Sequence, residues 1–226
     1  MISMIKKRRT KNERLGKLVK DIEESIRVAL KDVTKNPSKV YSEADLVHLI
    51  RSSLEKKKNS LRNYQIHQEV NRSDNKSDRG KFDLVVTDEW SPRERSDLRR
   101  GERRKKVRPK LVIEVKHLDP GGEGLAGDLA GENSRVGKDV RKLKKWINSV
   151  EGRKAFLVVY SVARGARGDV EERLKELLLE GGFDEQNEIT GKTCFIVFLL
   201  VPPSKNLREE WIIKSFPYET RRAFSI

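Results

Sequence analysis

The sequence has one cysteine and three histidines, and each scarcity excludes a class of protein or site. A single cysteine, Cys194, forms no intramolecular disulfide, which excludes a disulfide-stapled secreted domain and favours a reducing, cytoplasmic environment. The histidines, His48, His67 and His117, have no ligand-like spacing to one another or to Cys194, so a zinc site is not expected. Long apolar runs are also missing, so the sequence predicts neither a secretory leader nor a membrane span.

Charge is abundant in the sequence, and most of it is positive. Charged residues make up 38% of the 226 residues and hydrophobic residues 35%, which is still enough for the core of one large domain. The formal net charge is +15 and the isoelectric point is about 9.9. Such an excess predicts a polyanionic partner, and a nucleic acid, DNA or RNA, is the class expected. The alternative is a basic protein whose charges are only solvated.

The apolar pattern divides the chain into three parts. Residues 1–40 hold a basic segment and an amphipathic helix, predicted over residues 13–31 and ended by the stretch around Pro37. Residues 41–201 carry the main pattern of helices and strands. Residues 202–226 form a C-terminal extension with one more short strand near its middle.

Within the central part, the predicted order is helix, three strands, helix, strand, helix, strand. A spacing of 3.6 residues predicts helices that begin at residues 42, 138 and 169. Short apolar runs rich in β-branched residues predict strands over residues 64–70, 81–87, 110–116, 155–160 and 193–201. This periodicity alone predicts an α/β fold with a mixed sheet.

Two of these strands carry charged residues inside otherwise apolar runs. Alternation in residues 110–116 places Glu114 and Lys116 on one face of a strand, and Asp83 lies in the preceding strand. Burying such groups is costly unless they pair with each other or bind a cation. The pattern therefore predicts a cation site, and the alternative for Asp83 is a strand acid that bonds a nearby turn.

A further acid is predicted at the start of the preceding helix. Ser42 is a typical N-cap, with Asp45 three residues later as a capping box. Glu43 falls on the face that carries Leu46 and Ile50, which directs it towards the core. We expect Glu43 to serve the site, and the alternative is a first-turn acid that complements the helix dipole.

Asp83, followed on the next strand by Glu114-Val115-Lys116, resembles the signature of the PD-(D/E)XK nuclease superfamily. The resemblance covers about half the chain, residues 42–161, and Phe82 stands where the family name has proline. It implies a restriction-endonuclease-like αβββαβ core, with a central mixed sheet flanked by helices.

The resemblance also implies a chemistry, the metal-dependent hydrolysis of phosphodiester bonds in DNA by an endonuclease. Asp83, Glu114 and the carbonyl of Val115 would hold Mg²⁺, with Mn²⁺ able to substitute. Lys116 would orient the attacking water or help to deprotonate it. Glu43 would bind a second ion or a metal-bound water.

Two basic segments are candidates for contacts with the nucleic-acid backbone. Residues 90–110 hold ten basic residues and three acids between the two site strands, and the expected contacts there are Arg99, Arg100, Arg103, Arg104, Lys105 and Lys106. On the predicted helix over residues 138–150, the outer face carries Lys138 and Lys142 together with the expected contacts Arg141, Lys144 and Lys145. The alternative for both segments is a solvated surface. Between them, the glycine-rich residues 119–137 predict a flexible lid or connector.

Two other classes of function stay open at this point. A non-catalytic nucleic-acid-binding protein could retain the nuclease fold, and a structural subunit could carry its charges as solvated faces. A homodimer would suit the cutting of two strands, although no interface can be identified in the sequence.

Overall fold

The protein folds around a seven-stranded mixed sheet with helices on both faces. The computed structural model describes residues 2–57, 61, 64–71, 81–88, 109–118, 124–149, 153–161, 167–186, 194–202 and 211–220. The helices are α1 (Ile2–Lys35), a 3₁₀ turn (Pro37–Lys39), α2 (Glu43–Lys56), α3 (Gly124–Leu129), α4 (Arg135–Ser149) and α5 (Arg167–Glu180). The strands are β1 (Tyr64–Asn71), β2 (Lys81–Asp88), β3 (Pro109–Leu118), β4 (Lys154–Ser161), β5 (Phe183–Glu185), β6 (Phe195–Val201) and β7 (Ile212–Thr220).

The strand order across the sheet is β1-β2-β3-β4-β6-β7-β5. The first three strands are antiparallel, while β3, β4 and β6 run parallel, as a crossover through α4 requires. The predicted α/β class with a mixed sheet flanked by helices is confirmed. The last strand is longer than expected, and β7 joins the same sheet by pairing antiparallel with β6.

One face of the sheet is covered by α1 and α2. Buried residues of α1 recur at helical spacing, with Leu18, Ile22, Ile26 and Leu30 each at most 2% exposed. The helix is longer than the predicted residues 13–31, and it continues to Lys35, into the break predicted over residues 32–39 and short of Pro37. Within the described part of the chain, no helix has both the length and the apolar character needed to cross a membrane.

The other face is covered by α4 and α5. Val140, Leu143 and Ile147 of α4 are buried in the same apolar cluster as Val112 of β3 and Leu174 of α5. Because Glu114 and Lys116 alternate with the residues of the opposite cluster, they also lie on this side of β3. Helices α4 and α5 therefore cover the face of β3 on which the charged residues lie.

The glycine-rich segment is more ordered than the sequence suggests. Residues 124–129 form α3, and a tight turn with Gly131 at φ 73° leads into α4, while residues 119–123 lie outside the described residues. Ser134 Oγ accepts a hydrogen bond from the Gly137 N–H at 2.9 Å. The expectation of a flexible loop is therefore wrong for residues 124–137, because here glycine serves close packing.

Gly137→Ala is expected to lower the free energy of unfolding by about 1–3 kcal/mol, since a Cβ atom would lie 2.4 Å from the Gly131 carbonyl oxygen. Gly16→Ala is the matched control, because nothing lies within 4 Å of a Cβ atom added to that helical residue. The control should raise the free energy of unfolding by about 0.5–1 kcal/mol. Urea titrations of both variants test the contrast, and an unchanged midpoint for Gly137→Ala would contradict the tight turn.

Candidate active site

Asp83 and Glu114 come together where β2 and β3 separate. The pairing of the two strands ends at Leu84 and Ile113, so one further step in the same register would place Asp83 opposite Glu114. Beyond that point the Val115 N–H is bonded to a side chain and not to the backbone of β2, because it donates to Asp83 Oδ2 at 2.7 Å. The N–H and C=O of one strand residue point to the same edge, so the Val115 carbonyl faces the Asp83 side.

Burial makes both carboxyl groups hard to ionise. Glu114 is 1% exposed, and its loss of water, reinforced by the nearby Asp83 carboxylate, raises the pKa of Glu114 to about 9 although Lys142 acts to lower it. Burial also raises the pKa of Asp83, against the opposing effect of the Val115 N–H. Each carboxylate opposes the charge of the other, and a bound cation would relieve both.

Lys116 lies between two acids that come from opposite sides of the sheet. Its Nζ donates to both carboxylate oxygens of Glu43 at 3.1 Å and lies 3.2 Å from Asp139 Oδ2. Burial by itself lowers the pKa of Lys116, but the charges of Asp139 and Glu43 outweigh it and raise the pKa above its ordinary value. A lysine held in its charged form can donate a proton but is a poor acceptor, which favours orienting the water over deprotonating it.

The inward direction of Glu43 agrees with the sequence analysis. Ser42 caps α2 with the complete capping box, and Asp45 is used in that cap. Glu43 is left to reach Lys116, whereas a first-turn acid that only complemented the helix dipole would not need this contact.

Asp139 was not predicted from the sequence, and the predicted direction of Lys142 is wrong. Lys142 was expected on the outer face of its helix, but its side chain is 14% exposed and its Nζ lies 2.7 Å from Glu114 Oε2. The same Nζ lies 2.8 Å from Asp139 Oδ1 and donates to the Lys81 carbonyl at 3.0 Å. The signal that could have found both residues is their spacing, since positions 139 and 142 border the stripe of Val136 and Leu143.

Arg135 forms a partly exposed rim to this cluster. Its guanidinium lies 3.8 Å from Glu43 Oε2 and 3.4 Å from Asp128 Oδ2, while its side chain is 55% exposed. These contacts join the start of α4 to α3 and to the start of α2. The charged cluster is therefore closed towards the core and open towards solvent on the Arg135 side.

The expected nucleic-acid contacts are described only in part. Arg141, Lys144 and Lys145 lie on α4, where Arg141 contacts Glu132 and Asn133, Lys144 Nζ lies close to Gly182, and Lys145 is exposed. The six basic residues expected between the site strands all lie outside the described residues: Arg99, Arg100, Arg103, Arg104, Lys105 and Lys106.

The donor set fits a divalent cation in its chemistry. Among the described residues no group of three or more His, Cys, Asp or Glu side chains is already gathered as a ligand cage, because lysines stand between the acids. Glu114 Oε1 nevertheless is buried and accepts no hydrogen bond from the described part of the chain. The cluster holds four carboxyl groups and two ammonium groups, and when all six are charged the sum is two negative charges. The acids are Glu43, Asp83, Glu114 and Asp139, and the lysines are Lys116 and Lys142. Hard oxygen ligands and this charge suit Mg²⁺ or Mn²⁺.

Comparisons with known proteins give no assignment for this arrangement. No protein-family model matches the chain, and neither a curated protein nor a solved structure matches it.

Proposed function

We propose that the protein is a metal-dependent nuclease that hydrolyses phosphodiester bonds in DNA as an endonuclease. The observation that carries the proposal is the meeting of Asp83 and Glu114 at the separation of β2 and β3, with Lys116 two residues further along β3. The order of one helix, three antiparallel strands, a helical crossover and a parallel strand supports the restriction-endonuclease-like core that the resemblance implies.

A structural explanation alone accounts poorly for this cluster. A nearly fully buried glutamate next to a second, partly buried acid destabilises the fold, and an apolar residue of similar size at position 114 would avoid that cost. Groups with pKa values shifted by burial and by a specific partner are typical of functional sites. The cost is explained if the two carboxylates bind a cation.

Each residue then has a role in the reaction. Bound Mg²⁺ supplies positive charge to the phosphate oxygens and makes a coordinated water more acidic. Asp83, Glu114 and the Val115 carbonyl would hold that ion. Lys116, which stays charged, donates to the attacking water or to a phosphate oxygen and stabilises the negative charge that develops. Glu43 orients Lys116, since both of its carboxylate oxygens already accept from that ammonium group.

The substrate class follows from charge. A net charge of +15 favours a nucleic acid over a neutral or small phosphodiester, and backbone contacts need cations more than fixed geometry. Arg141, Lys144 and Lys145 extend along the helix that carries Asp139 and Lys142, so a backbone held there would pass close to the cluster. A homodimer is expected only if the protein cuts both strands of a duplex.

The experiment that tests the proposal is incubation of the purified chain with labelled DNA and RNA substrates: duplex, single strand, flap and junction. Each substrate is tested with Mg²⁺, with Mn²⁺ and with a chelator. Internal cleavage of DNA that depends on the metal supports the proposal. Salt-sensitive binding without products under any condition would indicate the alternative, a non-catalytic nucleic-acid-binding protein, and the absence of both would remove the nucleic-acid partner.

Lys116→Met is expected to lower kcat about 10²–10³-fold, because the developing negative charge loses its ammonium donor. The Mg²⁺ concentration at half-maximal rate should stay close to that of the wild type, since the proposed metal ligands are intact. Lys138→Met is the control, an exposed lysine on α4. Steady-state cleavage rates over a Mg²⁺ titration give both quantities, and an unchanged kcat at saturating Mg²⁺ would contradict the role of Lys116.

A further inference from the structure

We propose that Asp139 is a positioning residue. It holds the Lys142 ammonium group so that this group does not pair with Glu114 in place of a cation. The proposal rests on the proposed metal-dependent function and deepens it by naming what sets the affinity for the cation. Asp139 is 8% exposed and comes from α4, so it lies outside the acid-x-lysine pattern of the strands.

The first observation is an alternating row of charges across the site. Glu43 contacts Lys116, Lys116 contacts Asp139, Asp139 contacts Lys142, and Lys142 contacts Glu114, with the four nearest N–O distances between 2.7 and 3.2 Å. Among the described residues, only Asp139 contacts both ammonium groups. Its Oδ1 contacts the Lys142 ammonium group, and its Oδ2 lies near the Lys116 ammonium group without accepting a hydrogen bond from the described residues.

The second observation is the set of acceptors around Lys142. An ammonium group has three protons, and Lys142 has three acceptors, Glu114 Oε2, Asp139 Oδ1 and the Lys81 carbonyl. If a cation takes Glu114, the ammonium group still keeps a carboxylate and a carbonyl. If Asp139 loses its charge, Glu114 becomes the only carboxylate that Lys142 contacts in the described part of the chain.

The direction of the effect follows from these contacts. Removing the charge of Asp139 takes a negative charge from the site and leaves Lys142 to pair with Glu114 alone. Both changes weaken the binding of a divalent cation at Glu114. Removing Lys142 as well takes away the competing ammonium group, so the second substitution should restore the affinity that the first one lost.

The test measures Mn²⁺ binding by calorimetry on the full chain, without nucleic acid. Asp139→Asn, which keeps the shape of the side chain, is expected to raise the Kd for Mn²⁺ about 10-fold or more, the usual scale for a residue that orients a metal ligand. The double variant Asp139→Asn, Lys142→Met should return to within about 3-fold of the wild type, a recovery that a purely structural role of Asp139 does not produce.

Glu171→Gln is the matched control. Glu171 lies on a different helix, α5, is partly buried and also contacts two lysines, Lys175 and Lys214. It should leave the Mn²⁺ affinity unchanged. Wild-type binding of Mn²⁺ without any cleavage would remove the nuclease proposal and leave this inference in place. Metal-dependent cleavage with equal Mn²⁺ affinity in the wild type and Asp139→Asn would overturn this inference and leave the nuclease proposal in place. A wild type that binds no Mn²⁺, or a double variant no tighter than Asp139→Asn, would overturn the inference.

Discussion

Glu114→Gln is expected to reduce metal-dependent cleavage at least about 10³-fold, the scale seen when a preorganised charge is removed from a reaction centre. The amide keeps the size of the side chain and a hydrogen-bond acceptor for Lys142, so the fold and the binding of nucleic acid should be retained. What it removes is the negative charge that Glu114 carries once a cation displaces its proton, next to the buried Oε1 that accepts no hydrogen bond from the described residues. The measurement is the single-turnover rate at saturating protein, compared with the Kd from a binding titration of the same substrate with a chelator present.

Asp83→Asn should have a similar effect on the rate, although the Val115 N–H still finds an acceptor in the amide oxygen. Glu171→Gln again controls for the loss of a partly buried acid away from the site. Wild-type rates in both site variants would show that the cluster is not the reaction centre. Loss of rate together with loss of binding would instead indicate that the substitutions disturb the nucleic-acid surface.

The same Glu114→Gln substitution is expected to make the metal-free protein more stable at neutral and alkaline pH. Burial raises the pKa of Glu114 from its ordinary value of 4.5 to about 9, so the folded protein binds this proton more tightly than the unfolded chain. Between these two values the unfolded chain releases the proton, and the free energy of unfolding falls by about 1.4 kcal/mol for each pH unit. Glutamine carries no titrating proton, so this part of the pH dependence disappears in the variant.

Thermal unfolding with a chelator at pH 5, 6.5 and 8 measures the difference. The two proteins should nearly coincide at pH 5, and the variant should unfold at increasingly higher temperature as the pH rises, by roughly 2–4 °C per kcal/mol for a chain of this size. If the pair of Glu114 and Lys142 existed to stabilise the fold, the variant would instead unfold at lower temperature at every pH. Gain of stability with loss of activity is the combination that identifies a functional site.

The sequence was sufficient to predict six of the seven described strands, all but β5, and four of the side chains that meet near the site, Asp83, Glu114, Lys116 and Glu43. Apolar alternation placed Glu114 and Lys116 on one face of β3, and the helical period placed Glu43 on the face of α2 that carries Leu46 and Ile50. These are local properties, which depend on the 2-residue and 3.6-residue periods of the chain. They do not depend on which elements pack together.

Asp139 and the inward contacts of Lys142 were not predicted, although both positions border the apolar stripe of α4. Starting this helix at residue 138 places Asp139 in a first turn, where an acid commonly complements the helix dipole. The structure begins α4 at Arg135, a full turn earlier, because Ser134 caps it and Gly137 allows the turn at Gly131 to approach closely. That start depends on tertiary packing, and the inward contacts of Lys142 depend on the acids of β3 and α4 that its ammonium group reaches.

Val115 has an amide proton that is bonded to a carboxylate at the point where β2 and β3 separate. Its resonance in an NMR spectrum therefore reports on Asp83 directly, without a probe attached to the protein. Exchange of that proton with deuterated solvent requires the carboxylate to turn away, so its rate measures how often the site opens in the absence of substrate. The Val115 amide proton thus reports whether the Asp83 carboxylate is hydrogen-bonded to the backbone of β3.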